Sequence, residues 1–472
     1  VKQLFALGPY LPDQTAHSAG LKVCNNVYPR PDGYGPWSQL TGFSASLGAA
    51  FLGGGSFIAI DGTSNLIVGT ATALLKYSGA TWTSMIGSLT ITEHWRFAQF
   101  GDYAVAVNGV DTKVINLGAG TAGTLATAPA GKCVAVVGDY VVIGQAAGDL
   151  LGIYTSGFND HTNWDYVTST ATYQPMLAGG EVMGLAGGEY GVILQRQRLV
   201  RMTRTGDVNA PFAYDEISTA VGCASKGSVV QYGNRVFFLS DSGFKCLVAG
   251  QEPVLNIGSE KIDRTFISEV ARDDWEKIFT AVDPQSKLVI WCVPGAPGKL
   301  WIYNWELDRW ATVTLNLEGV FSGFTSSIDL ETLAVTYTDL DAMTISLDDP
   351  RWSGGNPRLY GVASQIVGTF FGDALEATFE GSFSEMVPGR VARVRDIRPV
   401  TNATEGHTIT LDCRARLGDA ENVKTASSIR TSGIMPVRAS GRYIKPKWVI
   451  AAGTDWSYAQ ALEFDLEAGG ER

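Results

Sequence analysis

The chain has 472 residues, of which 55 are glycine, about 12% against a usual ~7%. Charged residues make up 18% and hydrophobic residues 45%, so a large core is available and general disorder is excluded. With 36 Lys and Arg against 47 Asp and Glu, the net charge of −11 disfavours a protein that coats nucleic acid by neutralising phosphates.

Residues 1–9 carry an apolar run too short for a signal peptide, and Pro9 closes it. No window approaches 18 uninterrupted apolar residues, so no membrane span is expected. Pro9, Pro12, Pro29, Pro31 and Pro36 suppress helix and predict an extended N-terminal arm over 1–42.

From residue 43 a hairpin recurs. Its turn and first strand read Gly101-Asp102-Tyr103, Gly138-Asp139-Tyr140, Gly188-Glu189-Tyr190 and Gly233-Asn234-Arg235, each followed by an apolar run. Looser copies start at Gly62 and Pro284. The second strand ends in tyrosine with a later tryptophan: Tyr77 with Trp82, Tyr154 with Trp164, and Tyr303 with Trp310. Intervals of roughly 37–52 residues match four-stranded propeller blades, because each small sheet buries its faces against its neighbours in a ring. The pattern predicts an all-β chain with a six-bladed β-propeller over 43–350. It becomes seven-bladed if strands near 321–324 and 333–337 close the ring with 43–60. One helix is expected, capped by Ser259, with Ile262, Phe266, Ile267 and Val270 at helical spacing between blades.

Charge marks the next boundary. Residues 1–350 hold 21 basic and 33 acidic side chains, a balance of −12; residues 351–472 hold 15 and 14, a balance of +1. The turn-forming run from Asp348-Asp349-Pro350 separates them, and alternation beyond it predicts a C-terminal β-sandwich over 351–472. Arg390, Arg393, Arg395 and Arg398 sit in a neutral domain and read as a solvated or inter-subunit face.

Chemistry is sparse. The six cysteines (24, 133, 223, 246, 292, 413) form no C-x-x-C pair, which excludes common zinc ribbons and suits a reducing cytosol. Cys133 and Cys292, in apolar runs, read as buried thiols. Histidines 17, 94, 161 and 407 show no ligand spacing, and no nucleophile elbow or phosphate loop is present. Asp339, Asp341, Asp348 and Asp349 lack the EF-hand glycine and read as exposed acids. The rival reading is a glycosidase using Asp102, Asp139 and Glu189, since that chemistry needs two nearby carboxyls. Their recurrence at every turn reads instead as turn chemistry. No catalytic, cofactor-binding or metal residue is predicted, and the chain reads as a non-enzyme.

The segments Tyr10-Leu-Pro-Asp-Gln14, Gly20–Arg30 and Gly33-Tyr-Gly-Pro-Trp37 resemble the opening of tail nozzle proteins of short-tailed bacteriophages. The run 68–82 is similar to that family's first blade, and 441–448 with 453–459 to its terminal β-domain. The resemblance implies a virion component, assembled in the host cytoplasm, that forms a homohexameric ring in the tail. It would contact a portal-side adaptor ring and tail fibre or tip proteins. Genomic double-stranded DNA would pass the lumen of the oligomer without specific binding, and an acidic lining would let it slide. The arm would supply assembly contacts through Tyr10, Pro12, Asp13, Asn25, Asn26, Tyr28, Tyr34 and Trp37. The alternatives are a phage-associated propeller that binds or hydrolyses glycans, and a cytosolic propeller scaffold.

Overall fold

A computed structural model describes residues 2–79, 81–325 and 355–470. The chain is all-β apart from one short α-helix and two 3-10 turns among these residues. Seven four-strand antiparallel meanders follow one another, as in a multi-blade β-propeller. Six begin at Phe51, Arg96, Gly131, Val182, Val230 and Phe279, and each contains one of the six sequence repeats.

The repeated turn is a two-residue hairpin in three of them. Phe100 pairs with Tyr103, Val137 with Tyr140, and Tyr232 with Arg235. Gly101, Gly138 and Gly233 have φ of 58°, 57° and 57°, the left-handed region that only glycine enters without penalty. The fourth repeat departs from this pattern. Its Gly188 donates to Val136 O and accepts from Gly138 N, so it is hydrogen-bonded to the preceding sheet.

First strands of successive meanders lie against each other around the ring. Phe51–Ile58 meets Arg96–Phe100, which meets Gly131–Val137, which in turn meets Val182–Ala186. Gln231 ties the fifth meander to the fourth through both polar groups of Gly187. At the closure, Phe51 packs at 5.2 Å from the Phe279 ring and 5.8 Å from Phe321.

The seventh meander joins the two ends of the chain. Gly319–Phe324 pairs with Pro357–Ala363, that strand with Ile366–Ala374, and the fourth place is taken by Ser38–Ser46. The expected closing role of 321–324 is met, whereas 333–337 and the acids 339–349 lie outside the described residues. Two expected boundaries shift for the same reason. Strand pairing carries the ring sheet across residue 350 to Ala374, and the arm ends at Pro36, before Ser38 enters that sheet. Local charge balance cannot report which distant strand completes a ladder.

The remaining strands form two sheets that share one apolar core. One has the order Val27–Arg30, Gly33–Pro36, Ala459–Ala468, Ala392–Thr401, Met435–Gly441, with Lys2–Ala6 also on Ala459–Ala468. The other continues the sixth meander: Arg309–Leu317 touches Leu21–Asn25, which pairs with Ala377–Gly381 and then Tyr443–Ile450. One hydrophobic cluster runs unbroken from Trp291, Trp301 and Trp310 to Phe379, Trp448 and Phe464.

The helix spans Asp263–Glu269, with Ile262 at the N-cap position instead of Ser259. Ile262 and Phe266 are fully buried and Val270 nearly so, while Ile267 faces solvent. The helix starts later than expected because its first turn is capped from elsewhere in the chain.

Trp310 is fully buried, packs at 4.8–5.6 Å from Tyr303, Phe244 and Trp291, and donates to Ile257 O at 2.9 Å. Trp310→Ala should lower stability by ~3–5 kcal/mol in denaturant unfolding. A change below ~1 kcal/mol would contradict this core assignment.

Candidate functional site

The eight residues expected at an assembly interface lie at the seam between the ring and the C-terminal sheets. Asp13 supplies the missing helix cap: its carboxylate accepts from Arg264 N at 2.8 Å, Thr265 N at 2.9 Å and Thr265 Oγ1 at 2.7 Å. The amides at a helix start have no partner within the helix, so a carboxylate there satisfies donors and opposes the helix dipole. Pro12, half-buried, precedes it. Tyr10 is 5% exposed, and burial pushes its phenol pKa well above the usual value.

Asn25 and Asn26 clip the arm to the sixth meander. Asn25 Oδ1 accepts from Thr312 and Thr314 hydroxyls, both at 3.2 Å. Asn26 occupies the left-handed region at φ 62°, where its Oδ1 accepts from Thr314 N at 2.8 Å and its Nδ2 donates to Glu376 O at 2.8 Å. Tyr34 is fully buried against Phe379, its hydroxyl donating to Gly8 O at 2.9 Å. Trp37 packs at 5.3 Å from Phe370, and Tyr28 packs against the same core cluster. The expectation of inter-subunit contacts is corrected for Tyr10, Tyr34 and Trp37, while Pro12 and Tyr28 are half-buried. Tyr10, Tyr34 and Trp37 are buried within their own chain, and Asp13, Asn25 and Asn26 spend their polar groups there. The proline-rich stretch is extended chain whose strands pair within the same chain.

Two of the three rival carboxylates, Asp102 and Asp139, have structural partners. Asp102 Oδ1 accepts from Ile60 N at 3.1 Å, and Asp139 pairs with Arg204 at 2.9 Å. Cys133 and Cys292 are buried, and all six cysteines are free thiols. No group of three or more His, Cys, Asp or Glu able to hold a metal occurs among the described residues. No helix among them is long and apolar enough to cross a membrane.

Two further surfaces stand out, the first of them without a counterpart in the sequence pattern. The outer part of the third meander exposes Tyr166, Val167 and Tyr173, beside Tyr154, whose hydroxyl donates to Asp149 at 2.8 Å. The Tyr154 and Tyr173 rings stand 4.9 Å apart, and an open cleft of about 700 Å³ runs past Asp149 to Glu181 and Arg196. The second surface is a groove of about 910 Å³ lined by Arg393, Arg395, Lys424 and Arg438, with Asp396 and Glu467. Arg393 and Arg398 lie across from Glu467 and Glu463 on the adjoining strand, as expected for a solvated, charge-balanced face. Tyr166 and Tyr173 carried no sequence signal: Tyr166 falls in an irregular link, and Tyr173 in the short outer strand Thr172–Pro175, which lacks the repeat's signature.

No protein-family model matches the chain, and no curated protein matches it by sequence. Solved structures that it resembles share 10% identity. They include an extracellular domain described as that of a hybrid two component system of B. thetaiotaomicron, at a TM-score of 0.42. That match covers 89% of this chain and 47% of the other, so the chain spans about half its length. A chain of the mitotic checkpoint complex aligns over 73% of this chain and 96% of its own, at 0.40. BBS1N, in complex with ARL6DN, aligns over 71% and 98%, at 0.41. The propeller assignment rests on the strand topology.

His407 and His94 make stability depend on acid. His407 Nδ1 accepts from Trp448 Nε1 at 3.3 Å while Nε2 lies 3.2 Å from Ala403 O, an arrangement that fits the neutral Nε2–H form. Burial lowers its pKa, and burial beside Arg96 and Lys226 lowers that of His94 to about 3. Unfolded imidazoles take up protons below pH ~6.5 and these folded ones do so less readily, so stability is full above that pH and falls below it. For His94 the excluded proton costs ~2 kcal/mol by pH 5, and His407 acts in the same direction. Asp263 works oppositely, since burial raises its pKa to about 6 and the folded state holds that proton between pH ~4 and 6. Denaturant midpoints should drop from pH 7 to 5, and drop less in His94→Phe; an identical drop in both would refute the His94 contribution. Asp13→Ala should cost ~1–2 kcal/mol and reduce hydrogen-exchange protection at 263–269, with distant meanders unchanged.

Proposed function

We propose that this chain is a structural subunit of the tail nozzle of a short-tailed bacteriophage, forming a homohexameric ring whose axial lumen passes genomic DNA. In this reading the seven meanders are seven blades, and the two C-terminal sheets are a β-sandwich. The observation that carries it is the path of residues 2–46. They pair with the C-terminal sheets, cross the sixth meander and complete the seventh. A body whose ends are laced into each other resists being pulled apart, which suits a conduit that holds packaged DNA under pressure. The sequence motifs at both ends supply the family, and the acidic balance suits passage of a polyanion without ion pairing.

Neighbouring subunits would meet through surfaces other than the buried arm, with the tyrosine face of the third meander and the Arg393–Arg438 groove as available candidates. Adaptor, fibre or tip proteins would take the ends of the ring. Electron microscopy of the purified chain, with mass measurement, tests the proposal. The expected particle is a six-fold ring of 50.4-kDa subunits with an open axis. A monomer at every concentration, absent from virions, would overturn it.

A glycan-binding reading has one observation in its favour, the exposed Tyr166 and Tyr173 beside Asp149, since sugar rings stack on aromatic faces and bond to carboxylates. Binding of oligosaccharides that is lost in Tyr173→Ala would favour it.

A further inference from the structure

At one end of the propeller's inner wall, segments from four meanders bring charged side chains together. Glu93 and His94 come from the link into the second meander, and Arg96 opens its first strand. Lys132 is on the first strand of the third meander, Lys226 on the link to the fifth, and Glu276 on the link to the sixth. Two ion pairs form: Lys132 with Glu93 at 2.6 Å, and Lys226 with Glu276 at 3.1 Å. Glu93 and Glu276 are 41% and 49% exposed, so solvent reaches the cluster from that end.

Arg96 is the third cation, and its side chain has no hydrogen bond, ion pair or aromatic stack among the described residues. Its strand, Arg96–Phe100, lies against Gly131–Val137, which carries Lys132, and its charge interacts with Glu93 and Glu276 of the two pairs. The His94 ring stacks on Phe279 at 4.2 Å and leaves its buried Nδ1 without a partner. The cluster therefore sums to one positive charge, with five guanidinium donors and one imidazole nitrogen unspent. The half-buried Arg96 guanidinium gives up part of its hydration without gaining a partner, which is costly. This surplus is also local: the chain as a whole carries −11.

We propose that the inner mouth of the propeller binds one small oxyanion of the phosphate or sulfate type, held by Arg96 with Lys132, Lys226 and His94 around it. The anion completes the charge balance, and by touching links from separate meanders it ties the ring together at its centre. The planar guanidinium fork matches two oxygens of a tetrahedral anion, whereas chloride offers a single point acceptor. The proposal is independent of the assembly to which the chain belongs.

The test is calorimetric titration of the full chain with sodium phosphate and sodium sulfate, against sodium chloride at matched ionic strength. One saturable site per chain is expected for the oxyanions and none for chloride, with a melting temperature that rises with phosphate by mass action. Arg96→Gln should weaken phosphate binding at least tenfold and abolish the phosphate-dependent rise in melting temperature. In phosphate-free buffer it should melt no lower than the parent, because it removes an unpaired charge. Arg395→Gln, on the distant C-terminal sheet, should bind as the parent does. Absence of saturable phosphate binding by the parent overturns the proposal without need of any variant. Undiminished binding by Arg96→Gln overturns it as well, and so does displacement of phosphate by a short duplex oligonucleotide, which would assign the site to nucleic acid.

Discussion

A ring of small sheets is stable only when its first and last members meet, and here that contact depends on a strand from the other end of the chain. Ser38–Ser46 fills the outer place of the seventh meander, against Ile366–Ala374. Without it that sheet would have an open outer edge on Ile366–Ala374, and the ends of the ring would be held by side-chain packing alone. Phe51, Phe279 and Phe321 seal the inner side of the same junction. The outer ladder and the inner aromatic contact are separate fastenings on one seam.

This closure also sets the place of everything before residue 38. The chain must approach the seventh meander from the C-terminal sheets, so residues 2–36 are built into those sheets as strands. Leu21–Asn25 then bridges two bodies by pairing with Arg309–Leu317 on one side and Ala377–Gly381 on the other. Asn26 turns the chain at positive φ, and Asp13 caps a helix some 250 positions away in sequence. Because the apolar cluster continues across this bridge, ring and C-terminal sheets share a core and resist relative motion.

Charge is sorted by the same geometry. Acidic residues predominate over the ring portion, yet its inner mouth concentrates cations from distant segments around Arg96. Exposed pairs such as Lys132 with Glu93 contribute little individually to stability. Their role at the mouth is electrostatic, since they leave the half-buried Arg96 guanidinium uncompensated.

Much of the ring was legible locally. Gly101, Gly138 and Gly233 mark two-residue hairpins whose backbone only glycine adopts cheaply, and the Tyr303–Trp310 signature marks a strand pair that is buried. Periodicity and turn chemistry are short-range properties, so the amino-acid sequence by itself determined the strands, the repeat and the apolar core. It did not determine partners. That Tyr34 and Trp37 are buried in their own chain, that Asp13 and not Ser259 caps the helix, that the ring sheet runs past residue 350, and that Arg96 gathers Lys132 and Lys226 near it were decided by tertiary structure. Each depends on contacts between residues tens to hundreds of positions apart, and composition or spacing along the chain carries no record of which distant segment will supply the other half of a ladder, a cap or a charge.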